Sequence, residues 1–285
     1  MELMYKLLKY TGCILVGLGM FSCQDFDRPE MNIIPDPEPT PYDPLKIYIP
    51  FDENKVDDKS IYEFKASAVG ISYVDGISGK SMKGAEGGYV LVNIEEDLNG
   101  RNLKDSLQSL DAFTVSFWMN LKSDDVNGGA RQLFTIPHSE VGWGNLDIFT
   151  DGATDEGVLF KVHMFNTRSG SRVDGWIDDC RLAGVLDKWT HMVFRYEGAS
   201  STLHVFCDGK QVYEKLLGDY GKLIFEKMSG SFIVGNFSKN INPPLTSDSD
   251  TWDWAKEYNG ELDQFRFYNS ILTNEEVETL YKEKK

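Results

Sequence analysis

The chain has 285 residues, is 41% hydrophobic and 13% aromatic, and sets 29 Lys and Arg against 45 Asp and Glu for a formal net charge of -16. Acidity on that scale, with no basic run anywhere, argues against nucleic acid or an anionic lipid surface as a direct partner. Past the N-terminal leader described next, about 260 residues remain, a comfortable length for one large β-sandwich.

Residues Met1 to Tyr10 carry Lys6 and Lys9 against Glu2, and an apolar run follows from Cys13 to Phe21. The run is too short to span a bilayer as a finished helix but suits the core of a signal peptide. It ends in Met20-Phe21-Ser22-Cys23, which resembles a lipobox, with Met where such motifs usually carry Leu. That resemblance implies a signal peptide over residues 1–22, cleavage before Cys23 and lipidation of Cys23, whose acyl chains would anchor it stably. Gln24-Asp25-Phe26-Asp27 resembles the export tag of lipoproteins displayed by glycan-foraging Gram-negative bacteria, which implies an outer-membrane, exterior-facing address. Pro35-Asp36-Pro37-Glu38-Pro39-Thr40-Pro41 favours an extended, solvated chain, so residues 23–44 read as a tether.

From Leu45 the pattern changes to period two. Ile47, Ile49 and Phe51 alternate with Tyr48, Pro50 and Asp52, and Phe113, Val115, Phe117, Met119 and Leu121 share one parity. Val158 to Met164 and Met192 to Tyr196 form similar rows, and Leu203 to Cys207 runs into Asp208-Gly209, a hairpin-turn signal. Phe232 and Val234 precede Gly235, and a last strand covers Leu262 to Tyr268. Thr273-Asn274-Glu275-Glu276 then forms a capping box, with Val277, Leu280 and Tyr281 on one stripe of a short C-terminal helix. Many short strands without intervening helices predict an all-β, antiparallel two-sheet sandwich over residues 45–285, with no internal repeat.

Four segments sharpen this reading. Phe113-Thr114-Val115-Ser116-Phe117-Trp118, Trp189-Thr190-His191-Met192-Val193, Leu203 to Gly209, and Gly260-Glu261-Leu262-Asp263 running to Asn269 resemble, in order, strands of LamG-like, concanavalin A-like jelly-roll domains. The helix after Leu272 and the Phe51-Asp52 and Gly88-Tyr89-Val90 segments are similar too, so the resemblance spans Leu45 to Tyr281. It implies two face-to-face antiparallel sheets with the final strand beside the first. Most relatives are binding modules for glycans or proteins; a minority on this fold are glycoside hydrolases or lyases.

Candidate chemistry is sparse. Asp263 shares the parity of Phe265 and Phe267, and an inward carboxylate needs a cation or several donors. The resemblance implies a structural Ca2+ held by Asp263 and Asp52, with a hydrogen-bonded aspartate at a bulge as the alternative. Glu261-Leu262-Asp263 invites comparison with the E-x-D-x-x-E strand of laminarinase-like glycosidases, but Arg266 stands where the second glutamate is required. Trp118 and Trp189 belong to the family strands and read as structural. Trp143, Trp176, Trp252 and Trp254, with Tyr258, sit among Gly, Asp and Asn in expected loops, and are the candidate glycan-binding residues. The i, i+2 spacing of Trp252 and Trp254 places both indoles on one side of an extended segment. A disulfide between Cys180 and Cys207 is permitted outside the cytoplasm, and two unpaired, buried thiols are the favoured alternative. The expectation is a surface-anchored, non-catalytic lipoprotein that captures an oligo- or polysaccharide. A protein-interaction module is the alternative, and an enzyme comes third.

Overall fold

The computed structural model describes residues 42–97, 100 and 102–284. Asp43–Lys285 form one compact unit. The expected signal peptide, Cys23 and the expected tether up to residue 41 lie outside the described residues.

In chain order the strands are β1 (Leu45–Ile49), β2 (Ala66–Val69), β3 (Ser72–Asp75), β4 (Lys80–Lys83), β5 (Tyr89–Asn93), β6 (Ser109–Leu110), β7 (Ala112–Asn120), β8 (Ala130–Ile136) and β9 (Leu146–Thr154). They continue with β10 (Gly157–Arg168), β11 (Ser171–Leu182), β12 (Thr190–Glu197), β13 (Thr202–Cys207), β14 (Lys210–Leu216), β15 (Leu223–Ile224), β16 (Ser231–Val234), β17 (Ala255–Glu257) and β18 (Glu261–Tyr268). Among the described residues two α-helices appear, the single turn α1 (Lys104–Leu107) and α2 (Asn274–Glu283). The first sheet runs β14-β13-β12-β7-β18-β4-β3, with β1 also on β18; the second runs β11-β10-β9-β8-β16-β5-β2, with β17 on β8. Pairing is antiparallel except for β17 on β8, which is parallel. The final strand thus lies beside the first, as the family resemblance implies.

The alternating apolar residues meet between the sheets. Phe134 of β8 lies 5.2 Å from Phe265 and 5.8 Å from Phe267 of β18, and Phe160 of β10 lies 6.0 Å from Phe194 of β12. Each such side chain, fully buried, contributes about 1.5–3 kcal/mol relative to exposure. Asp208 and Gly209 both adopt positive φ, 49° and 78°, the geometry a two-residue hairpin demands. Cys180 and Cys207 are free thiols. Burial raises them to about 12 and about 11.

Period two predicts one dry face per strand, yet β7 is dry on both. Thr114 and Ser116, on its polar parity, are buried as completely as Val115. Helix α2 is the reason: Val277 joins Val193, Phe206, Tyr268 and Leu272 in a second apolar cluster on the outer face of the first sheet. Tyr281 stacks on Trp118 at 5.6 Å. The helix starts where the capping box predicts, with the Glu276 amide donating to Thr273 Oγ1 at 3.2 Å and the Thr273 amide to Glu276 Oε2 at 2.7 Å.

Removing that cap tests how far the helix supports the sheet. Thr273→Ala is expected to lower unfolding free energy by about 1 kcal/mol in a urea melt and to increase exchange of the α2 amides first.

Candidate functional site: a tryptophan patch on the second sheet

Strand register places Thr135 beside Asp147, Asp147 beside His163 and His163 beside Trp176. These residues form a row across β8 to β11 on the face opposite the core, where Ile136, Leu146 and Met164 sit in the neighbouring register. Two loops cover that outer face. Residues 137–145 bring Trp143, and residues 235–254 bring Phe237, Trp252 and Trp254.

All four candidate tryptophans converge here. The ring of Trp143 lies 4.9 Å from Trp176, 4.9 Å from Trp252 and 5.4 Å from Trp254. Trp252 and Trp254 stack at 5.0 Å with planes 20° apart, as their i, i+2 spacing predicts. Buried Phe149 and Phe237 lie beneath. Trp176 is not in a loop as expected: it lies on β11, whose outward parity aims it at the patch. The glycines flanking Trp143 allow its loop to lie flat. A Cβ on Gly142 would come within 2.6 Å of the Trp252 ring, and one on Gly144 within 2.3 Å of Thr135 Oγ1.

Polar groups pin the covering loops. Asp248 accepts from the Gly142 amide at 2.8 Å and from Lys239 Nζ at 2.9 Å. The Lys239 ammonium sits 4.2 Å from the Trp252 ring centre, opposite in charge to the π-face. Beside this stack opens a cleft of about 510 Å³, lined by Asn240, Asp250, Trp252, Asp253, Lys256 and Glu257 among others. Trp254 is 41% exposed, so one indole remains available on the surface.

Sequence reasoning missed what lies under the patch. His163 is 1% exposed, with Nδ1 3.1 Å from Asp147 Oδ2 and Nε2 3.0 Å from Asp174 Oδ1. Two carboxylates, one at each ring nitrogen, require both nitrogens to donate, which makes the ring an imidazolium. Burial pulls the His163 pKa down, but the hydrogen bonds and charges of Asp147 and Asp174 outweigh it and leave it raised. Asp174 is held down to about 2, first by the His163 hydrogen bond and, against its partial burial, also by that of Arg172. The cationic ring lies 4.6 Å from Trp176 and 5.4 Å from Trp143, so it joins both indoles as a buried brace. No local motif signals this, because its members come from three strands and meet only through register.

Tyr258 does not join the patch. It is 0% exposed within the main core, and its hydroxyl donates to the Glu261 carbonyl at 3.2 Å, so the glycan-binding assignment for it is corrected. A fully buried ring next to the first sheet offers no face to a ligand.

Asp263 is buried, though not by the parity expected. A bulge at Gln264, φ 53°, breaks the register, and Asp263 pairs opposite Trp118 while Leu262, Phe265 and Phe267 face the core. Its Oδ2 accepts from the amides of Ile77 and Ser78 at 2.9 and 3.2 Å, and its Oδ1 from Gln264 at 2.7 Å. Asp52 lies not on β1 but in a following turn, and accepts from the Lys80 amide at 2.9 Å. The two carboxylates therefore clasp the turn between β3 and β4. As a calcium site they do not fit. Calcium takes six to eight oxygens, whereas backbone N–H groups already occupy Asp263 on both oxygens. Among the described residues no group of three or more His, Cys, Asp or Glu side chains gathers. Desolvation raises Asp263 to about 7, with Asp52 adding to the rise and the three amides opposing it. Glu261 accepts from Asn120 Nδ2 at 2.8 Å, so the acidic pair of β18 serves the first sheet and not the tryptophan patch.

Two antiparallel sheets packed face to face, carrying a short C-terminal helix, define a jelly-roll sandwich of the lectin type. Residues 99–278 match the Laminin_G_3 family, described as the concanavalin A-like lectin/glucanases superfamily, and the chain belongs to it. Among curated proteins none matches. Similar solved structures include the receptor binding domain of botulinum neurotoxin mosaic serotype C/D, with 13% identity and a TM-score of 0.56, covering 83% of this chain and 50% of that one. The binding domain of Paraclostridial Mosquitocidal Protein 1 is similar at 16% identity and a TM-score of 0.56, over 84% of this chain and 52% of that one. The binding domain of botulinum neurotoxin DC, solved in complex with rat synaptotagmin II, has 13% identity and a TM-score of 0.53, over 85% and 52%. At these identities the likeness is one of fold, and the chain spans about half the length of those proteins.

The two titrating groups predict distinct pH behaviour. His163, raised in the folded state, stabilises fully below its unfolded value, and that contribution disappears as pH rises through the folded value. Tryptophan near-UV circular dichroism should therefore change on alkalinisation in the native chain, and the transition should vanish in His163→Gln. A pH-independent signal in both would refute the brace. Asp263, raised to about 7, makes global stability fall as pH climbs from the ordinary carboxylate range through neutrality. Asp263→Asn should remove that slope, at a cost of about 1–3 kcal/mol for setting an amide donor against N–H groups. Chelator is expected to leave the melting temperature of the native chain unchanged; a drop would restore calcium to this turn.

Proposed function

We propose that the tryptophan patch is a carbohydrate platform, and that the chain is a surface-anchored, non-catalytic glycan-binding lipoprotein. On this reading lipid on Cys23 holds it at the outer membrane facing the exterior, with residues 23–44 as the tether. The observation that carries the proposal is the stacked Trp252–Trp254 pair, one ring 41% exposed, beside a cleft of about 510 Å³. The apolar faces of sugar rings stack on indoles, while Asp and Asn at the rim bond hydroxyls. A braced platform suits this role, because rings already held in place lose little freedom on binding. Likeness in fold to the binding domains of toxins supports a binding role, while the superfamily itself holds glucanases as well as lectins.

A second reading, attachment to a protein, is favoured by one neighbour whose binding domain was solved with rat synaptotagmin II.

A glycan array and affinity gels with the mature chain separate the two. Retardation by at least one polysaccharide is expected, and Trp254→Ala should weaken it about tenfold, the worth of one stacking contact, with a small drop in melting temperature because the ring also packs on Trp252 and Trp143. Migration unaffected by every polysaccharide would sink the carbohydrate reading.

A further inference from the structure

Each carboxylate that meets the His163 ring also holds a tryptophan. Asp147 Oδ2 accepts from His163 Nδ1 and from the Gly144 amide at 2.7 Å, directly after Trp143 on the covering loop. Its Oδ1 accepts from Gln132 Nε2 at 3.0 Å, and the residue is 1% exposed. Asp174, at the other ring nitrogen, stands two residues before Trp176 on the outward parity of β11 and pairs with Arg172. Its side chain is 36% exposed. Trp143 in turn backs Trp254, the most exposed indole of the patch, at 5.4 Å. Other charged groups on the surrounding elements are committed elsewhere. Lys161 pairs with Asp151 and Lys239 with Asp248, while His138 Nδ1 accepts from the amides of Glu140 and Val141.

A neutral imidazole has one N–H donor, so loss of a proton turns one ring nitrogen into a lone pair facing a carboxylate oxygen. That pair must separate. Asp147 is closed off from water and tied by three donors, so Nδ1–H stays with it. Asp174, open to solvent and held by Arg172, is the partner that leaves, and the β11 side of the brace slackens beneath Trp176.

Resting on the carbohydrate reading of this patch, we infer that His163 makes saccharide binding proton-linked: the imidazolium form sets the platform and the neutral form releases it. His163 touches no sugar in this scheme. It is a positioning residue that acts through Trp143 and Trp176. Linkage is reciprocal, so a saccharide that prefers the braced platform also holds the proton on His163 more tightly.

Affinity gels and calorimetry between about pH 6 and about pH 9.5 test this with laminarin, galactomannan, pectin and chondroitin sulfate, none of which titrates in that range. In the native chain, affinity for a retained polysaccharide is expected to fall about tenfold across the range. The same ligand should move the midpoint of the tryptophan circular-dichroism transition up by about one pH unit, the reciprocal of that change. Asp174→Asn is the decisive variant. Its amide accepts from the imidazolium and donates to the neutral ring, so affinity should stay near the native acidic value at every pH. His163→Gln should bind weakly and without pH dependence. A native affinity that is flat across the range, or a pH dependence that survives Asp174→Asn, overturns the inference and leaves the platform standing. Retention of no polysaccharide at any pH, together with a blank glycan array, overturns the platform reading and this inference with it.

Discussion

The ring of Trp143 joins parts of the chain that sequence keeps far apart. It touches Trp176 of β11, Trp252 and Trp254 of the long covering loop, Phe149 and Phe237 beneath, and His163 of β10. The second sheet has apolar residues on both faces, and a sheet so composed must be covered on both. One cover is the first sheet; the other is this wedge of indoles. Contacts of this kind are worth about 0.5–1.5 kcal/mol each beyond the area they bury. Because they share one ring, they form and fail together.

Electrostatics makes the wedge directional. Burying a cation is costly unless acceptors surround it, and His163 meets a carboxylate at each nitrogen. The same principle recurs at Lys239, held by Asp248 over Trp252, and at Arg266, which lies 4.1 Å above the ring of Tyr48 and donates to the Gln264 carbonyl. Each buried cation fixes an aromatic ring. A chain this acidic uses its few interior cations as fasteners, while a buried carboxylate such as Asp263 relies on backbone amides instead.

Much of the fold was legible in order along the chain. The period-two rows at β7, β10 and β12, the Asp208-Gly209 hairpin and the Thr273–Glu276 capping box each depend on neighbours within a few residues, so local sequence carries them. The pairing of Trp252 with Trp254 was readable for the same reason. Legibility failed where register intervenes. Gln264 adds one residue to β18, which reverses the parity assigned to Asp263, and no residue type announces a bulge. Tyr258 stands four residues from Trp254, yet the chain turns inward between them.

The sequence by itself determined the sandwich class, the C-terminal helix and the identity of the four loop and strand tryptophans, since periodicity and turn chemistry are local properties. Tertiary structure alone decided that these four indoles form one surface, that an imidazolium braces it, and that Asp263 binds backbone amides. Those outcomes depend on which strands lie side by side. Strand order joins residues tens of positions apart, and a one-residue slip moves a side chain to the other face.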